Sequence, residues 1–261
     1  MNKIQKEIFK IATFFSEKST KTNINYSLLG GSSLGAVRHQ GFIPWDDDFD
    51  VILLPEQYRK LLRYSKNFHD EDHFFLKEGE EDYEMPFSKI MSRNLIFKEF
   101  NLIGSQKYSG LYIDIMGFVY TYENLLIRYS HFVFAKFLLA IFLYRRGYKT
   151  KIKSKKILLF FASLVSPFLP KSKILINFFR LSSPKQSKFL GHYFGKASFN
   201  KSVYPSEWFR NTELVLFENK KFFNTIFYKK YLILRYGNGF MEIPPPKSNF
   251  RYPAHGELLK N

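Results

Sequence analysis

The chain contains no cysteine. Disulfides, thiolate zinc sites and a cysteine nucleophile are therefore excluded, and folding needs no oxidising compartment. Acid is scarce: 23 Asp and Glu stand against 40 Lys and Arg, a net charge of +17 at pH 7. That imbalance implies an anionic partner, whether nucleic acid, a membrane surface or a phosphorylated substrate. No stretch offers 18 uninterrupted apolar residues, which disfavours a transmembrane span. The N-terminus lacks the pattern of a signal peptide, because Lys10 breaks its apolar run and no small-residue cleavage site follows. Ile4, Ile8, Ile11 and Phe15 instead share one helical face and predict an amphipathic helix over 2–18.

What is present is ample for a core. The 261 residues are 45% hydrophobic and include 31 Phe, a globular composition long enough for one large domain or two small ones. The charge is concentrated. Residues 121–190 hold fourteen Lys or Arg and one acid, Glu123, which accounts for +13 of the +17. Seven of these cations lie between Arg145 and Lys156, flanked by the apolar runs Tyr129–Tyr144 and Ile157–Pro170. A basic connector between two greasy helices has the character of an interfacial element lying on anionic lipid. No RNA- or DNA-binding motif accompanies it, which disfavours nucleic acid as the partner.

Hydrophobic alternation and turn residues predict strands at 24–30, 48–54, 73–78, 87–92, 95–100, 110–118 and 214–217. Helices are expected from Ser32 or Ser33 to Arg38, from Pro55 to about Lys66, through most of 121–196, and over 225–236. The pattern is α+β over 1–120, a basic apolar helical insert over 121–200, and a C-terminal segment over 201–261 that returns to the core.

The chemistry is concentrated in residues 30–51. A Gly30-Gly31-Ser32-Ser33 turn opens a helix and presents N–H groups suited to phosphate. Then come Asp46, Asp47, Asp48 and Asp50. In a strand Asp48 and Asp50 share one face, Asp46 joins them if the strand starts early, and Asp47 points away. Carboxylates crowded on one face repel unless a cation separates them, and hard oxygen ligands favour Mg²⁺ or Mn²⁺. A third acid is expected from a neighbouring strand. Asp114, embedded in Leu111-Tyr112-Ile113-Asp114-Ile115-Met116, is that candidate, because a buried carboxylate is costly unless paired or metal-bound. Arg38 and His39 at the end of the first helix, and Lys89 on the 87–92 strand, are candidate phosphate ligands. Arg251 and His255 are candidates for closing the pocket.

The glycine turn followed by Asp48-Phe49-Asp50-Val51 resembles the signature of the nucleotidyltransferase superfamily. The longer run from Leu34 to Asp50, with His39-Gln40-Gly41-Phe42-Ile43-Pro44-Trp45-Asp46-Asp47-Asp48, is similar to the LicD family, whose relatives include fukutin and fukutin-related protein. Tyr112-Ile113-Asp114-Ile115 resembles that family's third-acid strand, and Tyr231–Gly237 with Pro244, Pro245 and Arg251–His255 resembles its C-terminal segment.

The resemblance implies a nucleotidyltransferase-like mixed sheet flanked by helices. It implies Mg²⁺-dependent (or Mn²⁺-dependent) transfer of a phospho-alcohol group, phosphocholine first, from a CDP-activated donor to a sugar hydroxyl. The acceptor would be a surface glycan, such as lipopolysaccharide or teichoic acid, or its lipid-linked precursor. Asp46, Asp48, Asp50 and Asp114 would hold metal, with Asp48, Asp50 and Asp114 catalytic. Gly30, Gly31, Ser32, Ser33, Arg38, His39 and Lys89 would bind the donor. The expected location is cytoplasmic, on the inner face of the membrane. The competing readings are a glycerol- or ribitol-phosphate transferase of the same family, a nucleoside-triphosphate-dependent nucleotidyltransferase, and an inactive glycan- or lipid-binding scaffold.

Overall fold

The computed structural model describes residues 1–81, 83–99 and 109–245, and the backbone of 256–259. In chain order the elements are α1 (Lys3–Lys21), β1 (Ser27–Leu28), α2 (Gly30–His39), β2 (Asp50–Leu53), α3 (Pro55–Arg63), β3 (His73–Leu76), β4 (Ser88–Ser92), β5 (Ile96–Glu99), β6 (Tyr112–Gly117), β7 (Val119–Tyr120), α4 (Leu125–Arg145), α5 (Lys153–Val165), α6 (Ser172–Leu181), β8 (Phe189–Gly191), β9 (Val203–Pro205), β10 (Thr212–Phe217), β11 (Lys220–Thr225), α7 (Tyr228–Tyr236) and β12 (Gly256–Leu259).

A five-stranded mixed sheet of order β1-β2-β6-β4-β3 forms the centre. Its middle pair, β2 and β6, is parallel, and the remaining pairs are antiparallel. Helix α1 starts with a reciprocal cap: the Gln5 N–H donates to Asn2 Oδ1 and the Asn2 N–H to Gln5 Oε1. Its apolar face, Ile4, Ile8, Ile11 and Phe15, is buried as the periodicity requires. The abundant phenylalanine is core material, since Phe42, Phe49, Phe217 and Phe222 form one cluster of edge-on and tilted rings beneath the sheet.

Three expectations change. Helix α2 begins at Gly30, not at a serine cap, and ends on Gln40, which adopts the left-handed conformation (φ 54°) expected of Gly41. The first-turn serines are diverted: Ser32 Oγ accepts the Asp50 N–H at 2.8 Å, and Ser33 Oγ donates to Asn224 Oδ1. Residues 121–196 are helical only to Leu181; β8 then returns to pair with β7 and β9. Residues 220–225, for which the sequence suggested no element before the helix expected at 225, form β11 of a hairpin with β10, and α7 starts later, at Tyr228.

The insert is anchored to the sheet by ion pairs. Arg146 Nη2 meets Glu99 Oε1 at 2.8 Å, and Arg180 Nη2 meets the buried Glu78 at 2.6 Å. Arg145 caps the turn between α5 and α6 by donating to the carbonyls of Ser166, Leu169 and Pro170. Although no uninterrupted apolar run reaches 18 residues, α4 is long and apolar enough to cross a membrane. Its interrupting cations are internally satisfied, Arg128 by the Tyr122 and Glu123 carbonyls and Lys136 by the Gly195 carbonyl. Its inner face packs Phe132, Ala135, Leu138, Ile141 and Phe142 with Met91, Val119 and Tyr193.

Candidate active site

The site is built where β2 and β6 run side by side. Parallel pairing puts Asp50 directly opposite Asp114, so the two central strands present a carboxylate at the same level. Strand β2 starts only at Asp50, so Asp46, Asp47 and Asp48 belong to the loop before it. Strand alternation therefore does not place Asp48, yet its charge is the largest carboxylate influence on Asp50. Asp47, in the same loop, is buried. Gln5 of α1 pins this loop by donating its side-chain amide to the carbonyls of Ile43 (3.2 Å) and Asp46 (2.9 Å).

The glycines serve approach and geometry. Gly30 sits at φ +55°, a conformation L side chains rarely adopt, and its N–H donates to the Tyr231 hydroxyl at 2.8 Å. At Gly31 a Cβ would stand 2.5 Å from Asp46 Oδ2, so the missing side chain lets that carboxylate close on the helix start. Ser32 and Ser33 turn their N–H groups back to the Leu29 carbonyl, so the expected phosphate cradle is narrower than four free donors. Ser33 is fully buried and committed to Asn224, which takes its side chain out of the site. Gly31→Ala should leave melting unchanged or slightly raised, since alanine gains about 1 kcal/mol of helix propensity. Mg²⁺ affinity, read by calorimetry, should fall about tenfold as Asp46 is displaced.

Charge accumulates at Asp50. Burial first, then the carboxylates of Asp48, Asp114 and Asp46, push its carboxyl well above the usual range, and Lys196 opposes them. Asp114 Oδ1 is buried and receives no hydrogen bond. The nearly inaccessible Lys89 ammonium stands 3.3 Å from it and 3.7 Å from Glu99, over the Tyr112 ring at 3.0 Å from the centroid. With Arg146 on Glu99, this makes a chain of alternating charge from the insert to the catalytic level. Lys89 is thus paired with Asp114, as its strand position opposite Asp114 on β4 makes geometrically direct. Lys89→Met should lower stability by about 3 kcal/mol, because removing one partner strands buried charge. That corresponds to a melting temperature roughly 6–12 °C lower by calorimetry.

Arg38 reaches the C-terminal segment, donating to the Phe240 and Glu242 carbonyls at 3.0 and 2.9 Å. His39 lies edge-on to Trp45 at 6.3 Å, its pKa lowered by burial and by Arg38. Arg251 and His255 lie outside the described residues. Three groups enter the site that the local sequence did not single out. The charge of Lys196 acts on Asp50; Tyr231 holds Gly30; and the pKa of the Tyr236 hydroxyl is raised by burial, with Asp46 and Asp50 adding to it against Arg235. A separate surface cavity of about 540 Å³ is lined by Phe74, Phe75, Lys77 and Ser92.

Among the described residues no three His, Asp or Glu are already closed around one point. The donor set nevertheless fits a hard divalent cation. It is all carboxylate, three of its members push up the pKa of the fourth, Asp50, and Asp114 presents a buried oxygen that receives no hydrogen bond.

A glycine-turned helix start beside carboxylates on neighbouring parallel strands of a mixed sheet is the arrangement expected of a nucleotidyltransferase domain. Residues 23–138 match the family described as LicD/FKTN/FKRP, nucleotidyltransferase domain. Over 52 residues it is 44% identical to the lipopolysaccharide cholinephosphotransferase LicD of Haemophilus influenzae, which covers 20% of each chain. Over 52 residues it is 46% identical to an uncharacterized protein of Rickettsia prowazekii, again 20% of each. A third relative, from Rickettsia typhi, is 55% identical over 40 residues, 15% of this chain and 13% of that protein. The match therefore spans about a fifth or less of the length of these curated relatives.

Proposed function

We propose that this protein transfers a phospho-alcohol group, phosphocholine in the first instance, from a CDP-activated donor to a sugar hydroxyl of a surface glycan or its lipid-linked precursor. The observation that carries this reading is the pairing of Asp50 and Asp114 on parallel strands, beside Asp46, Asp48 and the Gly30-Gly31 helix start. The similarity to a cholinephosphotransferase supports the choice of donor.

Asp46, Asp48, Asp50 and Asp114 would hold Mg²⁺ or Mn²⁺, which when bound neutralises diphosphate charge and polarises the phosphoryl oxygens. The chain's own groups do the rest. Lys196, whose charge already acts on Asp50, and the start of α2 would supply positive potential for the donor phosphates. Lys89, 3.3 Å from Asp114 Oδ1, fixes that carboxylate in place, so that it can accept the acceptor's hydroxyl proton. The sugar oxygen forms its bond to the phosphorus carrying the alcohol. The bond from that phosphorus to the bridging oxygen breaks, and CMP leaves. Which of the two phosphorus atoms is attacked depends on donor pose, since one set of carboxylates serves either.

The test is a donor screen in Mg²⁺ with a lipopolysaccharide or oligosaccharide acceptor. CDP-choline, CDP-glycerol, CDP-ribitol and CTP are compared by release of CMP or pyrophosphate. CMP from a CDP-alcohol supports the reading. Pyrophosphate from CTP alone supports a nucleotidyltransferase. No consumption of any donor, with carboxylates that do not bind Mg²⁺, supports a binding scaffold.

A further inference from the structure

The insert turns apolar residues outward along two helices. On α5, Ile157, Phe160, Phe161 and Leu164 fall at i, i+3, i+4 and i+7, an amphipathic stripe that faces away from the protein; Phe160 is 59% exposed. Only Ala162 of this 13-residue helix is buried. Phe168, in the turn that follows, is 87% exposed. On α6, Leu175, Ile176 and Phe179 pack inward, while Ile174, Phe178 and Leu181 line the opposite face, Leu181 at 85% exposed. Leu126, Tyr129 and Val133 extend the surface onto α4. Isolated exposed apolar residues are ordinary, but a contiguous surface of this kind marks an interaction site.

The charge around it selects the partner. Between Arg145 and Leu181 there are ten Lys or Arg and no Asp or Glu. Arg145, Arg146 and Arg180 are spent inside the protein, whereas Lys149, Lys151, Lys153, Lys155, Lys156 and Lys173 are exposed without an ion pair among the described residues. Three of these lysines crowd the first turn of α5, where no acid is present and the helix dipole is already positive. That arrangement is unfavourable in water and favourable against a layer of phosphate.

We infer that the outer face of α5, its following turn and α6 inserts into the headgroup region of an anionic membrane. A second copy of the chain is a poorer occupant, because a symmetric contact would set the two lysine clusters against each other. Spanning is also disfavoured. Helix α5 is about 20 Å long against a hydrocarbon core of about 30 Å, α5 and α6 bend by 100° at their junction, and α4 has a face committed to the core. Docking of this face does not depend on the activity proposed above.

The test is co-sedimentation with phosphatidylcholine vesicles, pure or containing 30% phosphatidylglycerol, at 0.1 M salt without Mg²⁺ or donor. The parent should partition at least tenfold more strongly onto the anionic vesicles. The triple variant Lys153→Gln, Lys155→Gln, Lys156→Gln should lose about 100-fold, the product of about 1 kcal/mol per basic residue. Phe160→Ser with Phe168→Ser should lose at least tenfold on the same vesicles. All these positions are exposed, so melting should not change. Phe168→Trp should be quenched by brominated lipid. Equal binding to both vesicle types, no binding by the parent, or a triple lysine variant that binds like the parent would overturn the inference. So would resistance to alkaline carbonate extraction, which indicates spanning, or a parent dimer that the phenylalanine changes dissociate.

Discussion

Asp50→Asn is expected to reduce turnover at least 1000-fold while leaving the protein folded, and to raise the melting temperature of the metal-free form. The loss of rate follows from removing the carboxylate on which the others converge, since a bound metal supplies several kcal/mol of transition-state stabilisation. The gain in stability follows from the same electrostatics. In the folded protein, burial and then Asp48, Asp114 and Asp46 hold the Asp50 carboxyl well above its unfolded value of about 3.9. Between those two values the unfolded chain is ionised while the folded one retains a proton. Folding stability therefore falls as pH rises through that window. Asparagine removes the penalty. The variant should melt higher than the parent near pH 7, by about 2–4 °C for each kcal/mol relieved, and the gap should close as pH falls towards 4. Parent-level turnover in this variant, or a variant that melts lower at neutral pH, would contradict the assignment.

Asp114→Asn is expected to separate chemistry from donor binding. Asp114 sits on β6, opposite Asp50 on β2, so the loop carboxylates and the helix start remain in place without it. What is lost is the acceptor of the sugar proton, typically worth about 10²- to 10⁴-fold, with any loss of metal ligation added. CDP-donor affinity in Mg²⁺ should change only modestly by calorimetry. The substitution also leaves Lys89 with Glu99 alone, so the melting temperature should drop slightly. This distinguishes it from Asp50→Asn, where stability moves the other way. Full turnover in Asp114→Asn would place the third acid elsewhere.

The parts of the site that can be read from sequence are those encoded over short distances. Gly30-Gly31, the Asp46–Asp50 run and the apolar strand around Asp114 each carry a local pattern, and the helical period of α1 predicted its buried face. The serines were harder. Ser33 lies where a helix cap or phosphate ligand is expected, but its partner is Asn224, on a β11 strand 191 residues further on. Nothing near Ser33 announces that bond. Tyr231 and Lys196 are likewise brought in by tertiary folding, from α7 and from the loop after β8. Lys89 had a visible signal, a cation inside an apolar strand, but only strand register shows that it opposes Asp114. The β7-β8-β9 sheet was obscured by strands of two or three residues, too short to establish a period of two.

The identity of the attacked phosphorus bears most directly on the proposed chemistry. CDP-choline, Mg²⁺ and a glycan acceptor are incubated with the protein, and the products are followed by ³¹P NMR with detection of the choline methyl protons. The account predicts free CMP together with a new phosphodiester on the glycan that retains choline. Free phosphocholine with the nucleotide attached to the acceptor would contradict it, as would transfer at the parent rate by Asp50→Asn.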